Sequence, residues 1–230
     1  MGTKFAIATT TAYEGATGAS FDGTNYLVSI GTDQPPAGGG NSSDAQFISQ
    51  SGTTVGSLIQ GGGNGGWGGV AYDGSNYLLL GEDCTSGCYK WGRFVSPSGN
   101  MGSNFTILPA NTYGYGGYGT PIVYGGGSYL VVYSRGVSSS TSDGYMVYGR
   151  LISTSGTVGS EITISSAAGG FNSDNPISNN VFFDGNNFLV VWDAATSIMG
   201  RFVSPSGTLG TEFTIRTRPS SGCNTRHNEV

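Results

Sequence analysis

Groups able to do catalysis are scarce in this sequence. Its one histidine, His227, lies in the last few residues outside any pattern, so a Ser-His-Asp or Cys-His relay has no oriented imidazole. The same count excludes a His-rich zinc site. Cys84 and Cys88 are separated by three residues in EDCTSGCYK, and no second thiol pair completes a four-ligand metal site. The adopted reading is a local disulfide that pins their loop and suits an oxidising compartment, with Cys223 left single. Gly61 to Gly69 is glycine-rich but lacks the G-K-[ST] and following helix of a phosphate loop.

What remains is a set of aromatics among amides and carboxylates, in residues 8–19, 60–69, 108–120 and 165–179. Trp67, Tyr115 and Tyr118 have glycine on both sides, Tyr113 and Phe171 on one, and Tyr13 stands two residues from Gly15; Glu14, Asn172, Asp174 and Asn175 sit beside them. Aromatic faces stack on the C–H faces of sugar rings, while amides and carboxylates bond hydroxyls, so this set suits a carbohydrate or similar polar ligand. In the competing reading the rings fold back and fill the centre of the fold. Glu14 and Asp174 also form a carboxylate pair that, with nearby Asn, offers oxygen ligands to calcium, or an acid and base to a glycosidase. Two scattered carboxylates are too few to assign an activity, and an enzyme is the second choice.

The elements that must position these residues follow from a repeat. FDGTNYLVSI (21–30), YDGSNYLLLG (72–81), YGGGSYLVVY (124–133) and FDGNNFLVVW (183–192) are each followed by a second block of the type GRFVSPSGNMGSNFTI. Isoleucines 59, 107, 164 and 215 close those blocks. D-G-[ST]-N and S-P-S-G are hairpin turns, so each unit of roughly fifty residues carries four antiparallel strands, A to D, the pattern of a propeller blade. The predicted fold is all-β: a small propeller of four blades, at residues 17–59, 66–108, 117–164 and 177–215. These lie in one domain, 1–216, followed by a tail, 217–230. Residues 3–8, TKFAIA, match the D strand TEFTI and are expected to close the ring, which would bring the first and fourth blades together. In such a blade the D–A and B–C loops share one face, and that face carries the variable, aromatic-rich segments.

Blocks of the form DG-x-NYLVVW and GR-[FL]-[VI]-S-x-SG resemble the repeats of bacterial extracellular β-propeller proteins over nearly the whole chain, residues 3–216. Gly125 and Gln46 depart from it, where other repeats have Asp and Arg. The resemblance implies the fold and leaves the activity open, because propellers host lectins, scaffolds, lyases and hydrolases. Composition agrees: 42 glycines and 10% charged residues leave little material for helix surfaces. A net charge of −5 argues against nucleic acid, and no apolar run approaches the ~20 residues of a membrane span. Residues 1–15 hold no export signal, and the expectation is a secreted or cell-surface chain without its leader.

The sequence therefore predicts an extracellular ligand-binding module, monomeric in preference to a strand-exchanged dimer, with no required cofactor and calcium as an option. A calcium-dependent hydrolase of esters, phosphoesters or glycosides is the alternative. A structural repeat of a larger surface protein is the third reading.

Overall fold

Each Asp-Gly pair of the repeat ends one strand and starts the next. Asp22 accepts hydrogen bonds from the backbone N–H groups of Thr24 and Asn25, and Asp73 and Asp184 do the same in their own turns. The glycine that follows has φ near +98° in all three, a conformation that side chains with a Cβ resist. The C–D turns repeat as well, with Ser49, Ser96, Ser153 and Ser204 each accepting the N–H of the residue four further on.

The computed structural model describes residues 4–7, 14–32, 42–63, 68–85, 88–110, 115–116, 120–138, 144–167, 179–194 and 196–217. These form four antiparallel sheets and no helix. Blade one holds β1 (Glu14–Phe21), β2 (Asn25–Thr32), β3 (Ser42–Ser49) and β4 (Thr54–Ile59). Blade two holds β5 (Val70–Tyr72), β6 (Tyr77–Asp83), β7 (Tyr89–Val95) and β8 (Phe105–Leu108). Blade three holds β10 (Ile122–Gly125), β11 (Ser128–Gly136), β12 (Tyr145–Ser153) and β13 (Ile162–Thr163), and the short β9 (Tyr115–Gly116) pairs with the end of β11. Blade four holds β14 (Asn179–Phe183), β15 (Phe188–Ala194), β16 (Ser197–Val203) and β17 (Phe213–Thr217). The A strands of successive blades, β1, β5, β10 and β14, contact one another, the arrangement of a four-bladed propeller with strand A innermost.

The blades pack face to face through three clusters. Leu27, Ala45 and Phe47 of blade one meet Val70, Tyr77 and Leu79 of blade two. Leu78, Leu80 and Ile107 of blade two meet Tyr129, Val131 and Ile152 of blade three. Leu130, Val132 and Ile164 of blade three meet Val181, Phe188 and Trp192 of blade four. Residues i and i+1 of strand B therefore serve opposite neighbours, which is why β6 and β11 are buried almost without alternation.

A hydroxyl marks the first two junctions. Tyr77 Oη donates to the carbonyl of Asn25, and Tyr129 Oη to that of Asn76, each in the A–B turn of the preceding blade. The third junction lacks both halves: blade four has Phe188 for the tyrosine, and blade three has Gly125 for the aspartate. A Cβ at Gly125 would lie 2.2 Å from the Phe183 ring, so the packing of blade four accounts for that departure from the repeat. Gly81 is accounted for similarly, since its cross-strand neighbour Trp91 places its indole 2.0 Å from where a Cβ would be.

Residues 4–7 correct the expectation of a closing strand. They join no sheet, and the edge of β16 where they would pair is already taken by β17 of the same blade. They lie instead on blade one, where Ile7 packs against Val28, Ile30 and Ile48, and the Phe5 ring covers Gly52.

Candidate functional site

The register places the D–A and B–C connections at one end of each blade. Glu14 opens β1 opposite Thr32, the last residue of β2, and Thr32 in turn faces Ser42, the first of β3. At this end the blades differ in chemistry, whereas at the other end the C–D turns repeat the same bonds in all four blades and the A–B turns in blades one, two and four.

On blade one the polar group is Asp44, a residue the sequence reading passed over. It is 3% exposed, with Oδ1 accepting the N–H of Gly61 at 3.2 Å and Oδ2 accepting the Ser42 hydroxyl at 3.0 Å. Burial raises its carboxyl above the ordinary value, and the Glu14 carboxylate pushes the same way against those two bonds. The signal was present in the repeat: Asp44 stands where blades two, three and four have Trp91, Tyr148 and Met199. Glu14 is half-buried beside it.

Blade two carries a pinned B–C loop. Cys84 and Cys88 are joined by a disulfide. Asp83 Oδ1 accepts both the N–H and the hydroxyl of Thr85, which hold its carboxyl below the usual range. Lys90, 6% exposed, pairs with Glu82 at 3.4 Å; burial pulls the ammonium pKa down and the Glu82 charge works against that. Glu82, Cys84 and Cys88 approach one another closely enough to hold a cation, but bonded sulfurs are not thiolate ligands and Glu82 already faces Lys90.

Blade three presents Arg135, whose Nη2 lies 2.6 Å from Glu161 Oε1 and whose guanidinium stands 4.3 Å from the centre of the Tyr148 ring. Tyr133 Oη donates to the second Glu161 oxygen at 2.6 Å. Tyr115, one of the expected ligand residues, lies in β9 opposite Arg135.

The strand-C arginines serve the blades. Arg201 donates to the carbonyl of Gly210 within blade four and to that of Ile164 in blade three, a tie between neighbours. Arg150 reaches Gly159, and Arg93 pairs with Asn104, both inside their own blades. Gln46 makes the corresponding contact on blade one, to the carbonyl of Val55.

Of the expected site residues, Glu14 and Tyr115 fall in described strands. Tyr13, Trp67, Tyr113, Tyr118, Phe171, Asn172, Asp174 and Asn175 lie outside the described residues. The proposed calcium cage is thus represented by Glu14. Its described neighbour Asp44 accepts one hydrogen bond at each carboxylate oxygen. A groove of about 480 Å³ at the edge between blades one and two, lined by Phe47, Leu58, Pro97 and Met101, contains none of these residues.

No protein-family model and no curated protein matches the sequence. Solved structures do match. The chain is similar to a neuraminidase-like protein of A/little yellow-shouldered bat/Guatemala/060/2010, at 12% identity and a TM-score of 0.59, covering 86% of this chain and 58% of that one. It is similar to sucrose-6-phosphate hydrolase from Lactobacillus gasseri, at 12% identity and a TM-score of 0.53, covering 83% and 44%. It also resembles the Dos1 propeller, at 8% identity and a TM-score of 0.51, covering 87% and 61%. The chain therefore spans about half the length of the structures it matches, and at these identities the likeness carries the propeller fold.

Proposed function

We propose that this propeller is an extracellular binding module that recognises a carbohydrate or similar polar ligand on the face formed by its D–A and B–C loops. The observation that supports it is the difference between the two ends of the blades. One end repeats the same Asp-Gly and Ser-x-Ser-Gly hydrogen bonds from blade to blade. The other carries Glu14 beside Asp44, a disulfide-pinned loop with Glu82 and Lys90, and Arg135 on Tyr148. A scaffold with one constant end and one chemically individual end concentrates its recognition on the second. The disulfide accords with an oxidising, extracellular setting. Two of the structural neighbours are named for sugar chemistry, but the reading rests on the loops of this chain.

Glycan-array binding by the intact chain is the expected result, with the signal lost in Trp67→Ala and in Tyr115→Ala. An array of broad composition that stays blank would sink the carbohydrate reading. Turnover of esters or phosphoesters that EDTA stops and Glu14→Gln abolishes would replace it with a metal-dependent hydrolase.

A further inference from the structure

Each junction inside the chain joins a forward face of one blade to a backward face of the next, and the two end faces are left over. On blade four the forward face holds Phe182, Phe202, Phe213 and Ile215, exposed by 54%, 40%, 37% and 49%. The isoleucines at the same repeat position in blades two and three, Ile107 and Ile164, are 2% and 0% exposed. Strand β15 accordingly alternates between buried and half-exposed residues, where β6 and β11 do not. On blade one the backward face shows Phe21 at 40% and Tyr26 at 41%, against 0% for Tyr77 and Tyr129 at the position of Tyr26. Among the described residues no hydrophobic cluster joins blade four to blade one.

Two features say what belongs on these faces. The first is the hydroxyl junction: a tyrosine at the start of strand B reaches the A–B turn of the preceding blade wherever that turn carries aspartate, and both are missing together between blades three and four. Tyr26 of blade one is a tyrosine of this kind, and the Asp184–Asn187 turn of blade four is an aspartate turn of this kind. The leftover halves complement each other. The second is the seat of residues 4–7. In blades three and four the C–D glycine lies near the D strand of the blade before it, Gly156 near Phe105 and Gly207 near Ile162, while Gly99 of blade two lies near Phe47 of strand C. Gly52 of blade one lies instead under Phe5, in the segment TKFAI, whose pattern matches TEFTI, which includes the start of β17. Residues 4–7 thus hold a place shaped for a D strand.

We propose that a second copy of this chain docks its blade four on blade one, and the reverse, so that two four-blade arcs close into one eight-bladed ring. Each new junction repeats the forward-to-backward contact that the chain already makes three times. The contact is head-to-tail, and two copies close it without leaving a free face. Strand β17 of the partner copy displaces residues 4–7 from their seat. A two-copy ring replaces the monomer expected from four repeats.

Sedimentation equilibrium on the intact chain tests this, with a mass about twice the 23.6 kDa of one copy as the expected result. Tyr26→Asp on one face and Ile215→Asp on the other should each give single copies with an unchanged far-ultraviolet β spectrum. Mixing the two variants should restore a two-copy species through the one junction that retains both native faces. Tyr26→Phe, which removes one hydroxyl from each of the two new junctions, should weaken association roughly thirtyfold. A wild-type chain of single-copy mass at high micromolar concentration overturns the proposal. So does a pattern in which only one of the two face variants dissociates, since that means like faces meet. A ladder of higher masses also overturns it, because the ring then does not close at two.

Discussion

At the scale of single residues, Asp44 is the clearest case of a site group whose ionisation opposes folding. Burial raises its carboxyl above the ordinary 3.8, with the Glu14 charge adding to the rise. A raised folded value means that the native state holds the proton more tightly than the unfolded chain. The resulting stability is present at low pH and is lost as pH rises through the folded value. Asn in its place keeps an oxygen for the Gly61 N–H and cannot ionise. The expected outcome is that Asp44→Asn becomes progressively more stable relative to wild type as pH climbs from about 4 towards 8, read from urea midpoints. A difference that stays flat across that range would show that burial does not shift the group. Two turn aspartates, Asp22 and Asp184, oppose this trend. Backbone N–H bonds hold Asp184 low, so its contribution is present above the ordinary range and lost on acidification. The comparison with the variant isolates Asp44 from them. Asp44 was legible as a departure at one repeat position, but its burial depends on Gly61, from a segment 17 residues away, and no local pattern reports that.

At the scale of elements, the strands were legible because turn chemistry is local. Asp-Gly and Ser-x-Ser-Gly fix hairpins within a few residues, and the four sheets follow from them. The mistaken element is the one whose identity is not local. TKFAI has the pattern of a D strand, but a strand needs a free edge, and β17 occupies the edge of β16 that it would need. The blade junctions lie between these cases. The Tyr129 hydroxyl sits on a buried ring and bonds the Asn76 carbonyl at 3.2 Å, and burial with the nearby Asp73 raises the phenol's pKa. Tyr129→Phe should therefore cost about 1 kcal/mol in denaturant unfolding by leaving the turn one donor short. Phe188→Tyr should recover less, because Tyr129 also bonds the Asp73 carboxylate, for which Gly125 of blade three has no equivalent, and the Phe183 ring packs on Gly125. An equal gain at Phe188→Tyr would mean that the hydroxyl works without the aspartate, and no loss at Tyr129→Phe would mean that the hydroxyls are incidental to the junctions.

At the scale of the whole molecule, four similar sheets specify how one blade packs on the next but not where the series stops. A forward face fits any backward face, so closure within the chain and closure with a second copy use the same contacts, and only the exposure of the end faces separates them. Ile215 and Tyr26 are exposed in the single chain, and these are the faces that a second copy would cover. Thermal unfolding carries the consequence. If two copies fold as one ring, unfolding releases two chains, and each tenfold rise in concentration adds about 1.4 kcal/mol to the stability of the pair. Spread over an unfolding entropy of about 2 cal/mol/K per residue in both chains, this raises Tm by roughly 1–2 °C per tenfold in concentration. The shift is small, but over a hundredfold range it exceeds calorimetric error. Ile215→Asp and Tyr26→Asp should each abolish the slope, whereas Tyr129→Phe should lower Tm at every concentration and leave the slope intact. A wild-type Tm independent of concentration would place both end faces within the same chain, and the arc would then have to close on itself.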